Sequence, residues 1–116
     1  MKFHILFRRS IAAIGLSSLG FLSSCVSLET AAPPVATFAQ PTQSSFSRLC
    51  AGRDLYVGKC TKCHSAEVVR KFPMSEWKEE IMPEMAKKAK LSPAEEEAVM
   101  AYVAAVSAAP VKVPGG

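Results

Sequence analysis

The stretch Cys60-Thr61-Lys62-Cys63-His64 decides the fold expected for this chain of 116 residues. Its pattern, C-x-x-C-H, is typical of covalent haem attachment. The two thiols lie about one helical turn apart and can form thioethers with the two vinyl groups on one side of a porphyrin. His64 follows directly and is thereby placed to bind the iron as proximal ligand. The motif predicts one covalently bound haem c.

Two other kinds of site also use a C-x-x-C pair. A structural zinc site needs four ligands, and the chain adds only Cys25 and Cys50, with no second C-x-x-C and no His pair. A dithiol oxidoreductase site needs a βαβ context, whereas no segment of this sequence has a convincing strand pattern. Haem attachment is the preferred interpretation.

The first 24 residues are predicted to be a lipoprotein signal peptide. Lys2, Arg8 and Arg9 form a positively charged region, and an apolar region follows over residues 11–22. This apolar region is shorter than the roughly 20 residues of a membrane span. The sequence Leu22-Ser23-Ser24-Cys25 that comes next resembles the bacterial lipobox, in which the cysteine is acylated and becomes the new N-terminus.

The lipobox resemblance implies a lipid anchor on Cys25, which holds a protein at a membrane without spanning it. The alternative is an ordinary cleaved signal with a plain thiol at Cys25. Val26 stands where inner-membrane retention signals usually have Asp, which favours the outer membrane. We expect an exported protein, lipid-anchored on the periplasmic side.

The distribution of charge gives no indication of nucleic-acid binding. Three of the 14 basic residues lie within the first ten positions, while all 10 acidic residues lie beyond residue 28. The chain after the signal peptide is therefore close to neutral, and no basic stripe with interleaved aromatic residues occurs in it. Nucleic acid is excluded as an expected partner.

Composition divides the rest of the chain into a linker over 25–45 and a haem-binding domain over 46–116. Residues 26–45 are rich in Pro, Ala, Thr, Ser and Gln and show neither a helical nor a strand period. A free linker of this length would have a typical reach of roughly 25 Å. It would let the domain tumble near the membrane.

The domain is predicted to be all-α, with three to four helices around the haem. The first helix is expected from about Ser47 to Lys59. A middle helix is expected to start with Ser75 as N-cap and to break or kink at Pro83. The last helix begins at the capping box Ser92-Pro93-Ala94-Glu95. Apolar residues at helical spacing then predict one buried stripe, made of Val99, Tyr102, Val103 and Val106.

Residues 48–107 resemble the small monohaem c-type cytochrome family, of the class I type. Gly52 and Tyr56 match its Gly-x-x-x-aromatic pattern upstream of C-x-x-C-H, and Ala101-Tyr102-Val103 looks like its C-terminal helix. The resemblance implies that the first and last helices cross closely at the glycine, with the aromatic residues packed beside it.

The sixth iron ligand cannot be a histidine of the mature chain, because His4 is lost with the signal peptide and His64 is already used. Methionine is the usual remaining ligand, and its thioether raises the reduction potential. Four methionines follow the motif: Met74, Met82, Met85 and Met100. Met74 is expected in a loop that covers the haem, and Met100 in the core.

Met82 and Met85 are the main candidates. Met82-Pro83 has the Met-Pro pair that many family members have at the ligand. The stretch from Trp77 through Met85 to Leu91 resembles a subgroup in which the ligand follows a Trp by about two helical turns, and this resemblance assigns the role to Met85. Either residue would otherwise be ordinary core filling.

The resulting prediction is a one-electron carrier, not an enzyme, that exchanges electrons with redox proteins at the membrane surface. No small-molecule substrate is expected, because the chain offers no base–nucleophile pair and no spare histidine. Alternatives are a cytochrome subunit of a larger oxidoreductase and a haem-based sensor of NO or CO. Lys59 and Lys62 are placed to attract an acidic partner. Cys50 is expected to be a buried or half-buried free thiol.

Overall fold

The structure, a computed structural model, describes residues 27–111. In chain order it contains α1 (Leu28–Ala31), a 3-10 turn (Val35–Thr37), α2 (Phe46–Leu55) with a π-helical turn (Tyr56–Cys60), a 3-10 turn (Val69–Lys71), α3 (Met74–Glu76), a π-helical turn (Trp77–Ile81), α4 (Met82–Ala89) and α5 (Pro93–Ala108). The described residues include no strand, so the all-α prediction is confirmed for them.

The N-terminal predictions fall outside the described residues. These are the signal peptide over 1–24, the lipidation site Cys25 and the lost histidine His4. Within residues 27–111, no helix has both the length and the apolar character needed to cross a membrane.

Helix α5 is the element that the sequence predicted best. The Ser92 backbone N–H donates to the Glu95 carboxylate at 2.9 Å, and the Glu95 N–H donates to the Ser92 hydroxyl at 3.2 Å, which completes the capping box. The predicted apolar stripe is fully buried at all four positions: Val99, Tyr102, Val103 and Val106. The stripe anchors α5 in the core.

Helices α2 and α5 cross closely at Gly52. A Cβ at this position would lie 2.8 Å from the carbonyl carbon of Ala98 and 2.9 Å from Cβ of Tyr102, so the backbones approach more closely than any side chain at Gly52 would allow. Beside the crossing, the rings of Tyr56 and Tyr102 lie 6.2 Å apart. This packing is the arrangement that the family resemblance implies.

The middle helix starts at a different residue than predicted, and Pro83 does not end it. It begins at Met74, with Pro73 in the extended cap position, and Ser75 lies inside the first turn without acting as a cap. Pro83 does not break it, because α3, the π-helical turn and α4 follow one another without interruption to Ala89. A π-helical turn shifts the hydrogen-bond register by one residue, which accommodates the missing N–H of a proline just beyond it.

Residues 27–39, here called the strap, pack against the helices and differ from the free linker that composition predicted. Four of their side chains are buried: Ala31, Ala32, Val35 and Ala39. Two hydrogen bonds hold their backbone. The Tyr102 hydroxyl donates to the Pro33 carbonyl at 2.8 Å, and Arg53 Nε donates to the Ala32 carbonyl at 3.0 Å. Small apolar residues can pack in this way without showing any period in the sequence.

A row of five aromatic rings runs through the core from the strap. Neighbouring ring centroids in this row are 6.1 to 6.2 Å apart, within the range of favourable aromatic pairs. In order, the rings belong to Phe38, Tyr102, Tyr56, Trp77 and Phe72. Burial raises the pKa of Tyr102 to about 12, and it also raises the pKa of Tyr56. Both hydroxyls are therefore neutral donors at physiological pH.

Candidate functional site

The C-x-x-C-H motif borders an apolar pocket. The pocket lies between the end of α2, the loop that follows it, the α3–α4 helix and α5, and encloses about 620 Å³ including its open mouth. Its lining residues are Tyr56, Cys60, Thr61, His64, Ala66, Glu67, Phe72, Trp77, Ile81, Met82, Met85 and Val99.

Most of the residues predicted to bind the haem line this one pocket. Cys60 and His64 border it on the motif side, while Met82 and Met85 border it from the α3–α4 helix. Cys63 is exposed and is not among the lining residues. The pocket thus brings a histidine and two candidate methionines together across one apolar space.

Two predicted methionine placements can be compared with the structure. Met74, expected in a covering loop, is the first residue of α3 and packs against the core without lining the pocket. Met100, expected in the core, does pack against it from α5 and likewise does not line the pocket. Of the four methionines after the motif, Met82 and Met85 are the two that line the pocket.

Met82 and Met85 differ in burial. Met82 is only 2 % exposed and belongs to the core cluster, whereas Met85 is half-buried. Trp77, Ile81 and Met85 recur at intervals of four residues, so they lie on one face of the α3–α4 helix. Met85 thus lines the pocket on the same helical face as Trp77. Its side chain is less buried than that of Met82.

One ring nitrogen of His64 contacts the backbone, which distinguishes it from the other. Its Nδ1 lies 2.7 Å from the backbone carbonyl oxygen of Ser65. Because a carbonyl oxygen can only accept a hydrogen bond, Nδ1 is the nitrogen that carries the proton. Nε2 therefore keeps its lone pair, and a fixed Nδ1–H donor of this kind is typical of metal-ligating histidines.

The loop after His64 is held by two aromatic side chains of the pocket wall. The Tyr56 hydroxyl donates to the Glu67 carbonyl at 2.5 Å, and Trp77 Nε1 donates to the Val69 carbonyl at 3.0 Å in a buried environment. Both donors come from π-helical turns, which are frequent at functional sites. They fix the path of the backbone that carries His64 out of the motif.

The thiol of Cys60 is buried, and burial raises its pKa. A raised pKa keeps the thiol protonated at neutral pH. Dithiol oxidoreductases show the opposite behaviour, because their attacking cysteine has a lowered pKa and is exposed enough to react. The environment of Cys60 does not match that class of site.

The two lysines near the motif and Cys50 can also be compared with their predictions. Lys62 is exposed, as a steering charge would be, but Lys59 pairs with Glu95 at 2.7 Å and links α2 to α5. Cys50 is half-buried and forms no disulfide with Cys60 or Cys63, the other two described cysteines. This agrees with its predicted state.

Several pocket residues were not anticipated, among them Phe72, Ile81 and Val99. Ile81 could have been found from its spacing of four residues to both Trp77 and Met85, which marks one helical face. Val99 was predicted to be buried, but its sequence position does not show that it faces the pocket. Phe72 lies in a loop, where no periodic signal exists.

Comparisons with protein-family models, with curated proteins and with solved structures found no match to this chain. Among the described residues, no group of three or more His, Cys, Asp or Glu side chains is arranged to hold a metal ion.

Proposed function

We propose that the protein is a monohaem c-type cytochrome that carries single electrons at a membrane surface. Cys60 and Cys63 would bind one haem c covalently, with His64 as proximal ligand and Met85 as the sixth ligand, Met82 being the alternative. The observation that carries the proposal is that His64 and both methionines line the same apolar pocket as Cys60.

The pocket suits a mainly apolar group that also needs metal ligands. Its lining is dominated by aromatic and aliphatic side chains, and it includes the imidazole of His64 and the thioethers of Met82 and Met85. Thioether and imidazole together are a familiar axial pair for haem iron. Haem c, when bound, supplies a one-electron ferric–ferrous couple.

The residues of this chain would favour electron transfer over bond-making chemistry. The hydrogen bond to Ser65 fixes the orientation of the His64 ring, and the thioether ligand would raise the reduction potential. The apolar wall limits the access of water, which also tunes the potential. If His64 and a methionine both held the iron, no ligand site would remain for a substrate, so we propose no enzymatic activity.

The proposed setting is the periplasmic side of a membrane, with a lipid on Cys25 as anchor and redox proteins as partners. Support comes from the lipobox resemblance of Leu22-Ser23-Ser24-Cys25 and from the need of the C-x-x-C-H motif for attachment outside the cytoplasm. Lys62 is available to attract an acidic surface. Lys59 is less available, because it is paired with Glu95.

Covalent attachment can be tested with three cysteine variants. We expect Cys60→Ala and Cys63→Ala to reduce or abolish the haem that stays on the chain in a denaturing gel. Cys50→Ala is the matched control, because it removes a thiol of the same domain without touching the motif, and it should keep its haem. A parent chain without covalent haem, or equal loss in the Cys50 variant, would contradict the proposal.

A further inference from the structure

The strap is attached to the same helices that form the pocket. Its contacts are made with Arg53 of α2 and Tyr102 of α5, through two side-chain hydrogen bonds to strap carbonyls and through the ring of Phe38, which lies 6.2 Å from that of Tyr102. With four buried side chains in addition, the strap is part of the folded unit. It does not have the contacts of a free linker.

A docked strap shortens the tether between a lipid on Cys25 and the domain. Cys25 precedes the first strap residue, Ser27, by two positions. An extended chain spans at most about 3.3 to 3.6 Å per residue, so two residues cover roughly 7 Å. A free linker over 26–45 would have a typical reach of roughly 25 Å. The lipid would therefore draw the strap end of the domain close to the membrane.

The strap end of the domain carries exposed apolar side chains. The exposed large hydrophobic residues in the described part of the chain are Leu28, at 44 %, and Val111, at 69 %. Val111 lines the same groove as Ser27 and Glu29, the two neighbours of Leu28. Both apolar side chains thus lie at the end of the domain from which the chain leads to Cys25.

The strap and the proposed haem pocket contact different rings of the Tyr102–Tyr56 pair. The strap contacts Tyr102, whereas the pocket is lined by Tyr56, the next ring in the aromatic row. The pocket shares no lining residue with the groove that contains Ser27, Glu29 and Val111. An arrangement with the strap end on the membrane would leave the pocket free for a redox partner.

We propose that the end of the domain formed by the strap and Val111 rests on the lipid surface, and that the docked strap holds the pocket at a fixed distance from it. The inference depends on the lipid anchor at Cys25 proposed above. The occupant of this apolar end is the lipid surface into which the anchor inserts, because the tether is too short to place that end elsewhere.

Two insertion variants of the lipidated holoprotein test the inference in vesicles. A flexible Gly/Ser segment of about 15 residues is placed either between Val26 and Ser27 or, as the matched control, between Pro41 and Thr42. Energy transfer from a dye on the lipid headgroups to the haem reports the distance. With a docked strap, the first insertion lengthens the tether and transfer is lost, while the second only enlarges a loop and transfer stays at the parent level.

The outcomes separate the inference from the function on which it rests. Equal loss of transfer in both variants means that the strap is a free linker, and it overturns the inference alone. Low energy transfer in the protein without an insertion means that the strap end faces away from the lipid, towards a protein partner or solvent. This result also overturns the inference alone. A chain that does not float with vesicles overturns the anchor and the inference together.

Amide exchange in the haem-loaded protein supplies a measurement that needs no lipid vesicle. The Ala32 and Ala39 N–H groups donate to the Leu28 and Val35 carbonyls at 2.7 and 2.9 Å. In the detergent-solubilised full-length holoprotein we expect both amides to exchange more slowly than those of Thr42, Ser44 and Ser45, which are exposed. Exchange at the rate of an unstructured peptide at Ala32 and Ala39 would overturn the inference.

Discussion

At the scale of single residues, the chemistry proposed for the pocket depends on which atoms are free to bind iron. The contact between Nδ1 of His64 and the Ser65 carbonyl assigns a proton to Nδ1 and makes Nε2 the nitrogen that the proposed iron would use. Met82 and Met85 both line this pocket, and they differ mainly in burial. This difference gives the two residues different expected responses to truncation.

The first prediction concerns this methionine pair. Met85→Ala should abolish the weak near-infrared band of an iron–sulfur bond and lower the reduction potential. Met82→Ala should keep the band but lose stability, by about 2 to 5 kcal/mol, because it empties a buried core position. Absorption spectra and denaturant unfolding of both holoproteins provide the comparison. Loss of the band in Met82→Ala alone would show that Met82 is the ligand.

A second prediction concerns the close crossing of α2 and α5. Gly52→Ala would push a Cβ into the Ala98 carbonyl group and Tyr102, both of which belong to a packed helix. We expect a loss of about 1 to 3 kcal/mol or more in the free energy of unfolding. Gly58→Ala is the control, since a Cβ there meets nothing within 4 Å. Similar stabilities for the two variants would contradict the crossing as described.

At the scale of elements, the sequence predicted those helices whose signals are local. Helix α5 has its capping box and its buried stripe within one segment, so both could be identified before the structure was seen. The middle helix was predicted less well. Ser75 is a good cap by type, but the extended backbone of Pro73 starts the helix earlier, and the π-helical turn before Pro83 removes the expected break.

The strap and the choice of sixth ligand show what local signals cannot provide. The strap buries alanines and one valine through contacts with residues far along the chain, and its composition is that of a linker. Met82 and Met85 both line the pocket from one turn of the same helix, so their spacing to the motif hardly distinguishes them. The motif itself needs no tertiary information, and two of its residues, Cys60 and His64, line the pocket.

The third prediction is a pH dependence at the contact between α2 and α5. The hydrogen bond from Lys59, together with the one from the Ser92 backbone, lowers the pKa of Glu95. A carboxyl group whose pKa is lower in the folded state stabilises the fold above its unfolded pKa, and this contribution is lost as the pH falls through the folded pKa.

Replacing Glu95 by Gln should therefore cost stability at about pH 7 and little at about pH 3. Denaturant midpoints at both values measure the effect. Glu96→Gln, one residue further along the same turn, is the control, since the described residues give its side chain no ion pair or hydrogen bond. A Glu95→Gln cost that is equal at both pH values would contradict the assigned cause.

At the scale of the whole molecule, the proposed haem would make stability dependent on the cofactor. Small domains bury a modest share of their surface, about 60 % for 60 residues, and here a partly open apolar pocket also interrupts the core. A covalent haem would fill this space and connect the end of α2 to the α3–α4 helix. Without it, the pocket walls lose their packing partners.

We therefore expect the Cys60→Ala/Cys63→Ala double variant, produced without haem, to be largely unfolded. Its far-ultraviolet circular dichroism should show a clear loss of helix, and a protease should degrade it faster than the holoprotein. The Cys50→Ala holoprotein serves as the control for loss of a thiol. A compact, protease-resistant double variant would contradict the proposal that the haem completes the core.

The central claim is tested most directly by one optical redox titration of the purified full chain. The account predicts one haem per chain, a six-coordinate low-spin ferric spectrum with histidine and methionine ligation, and a single reversible one-electron step. A chain without haem would contradict it outright. A five-coordinate, high-spin ferric haem that binds NO or CO readily would contradict electron transfer and indicate the sensor instead.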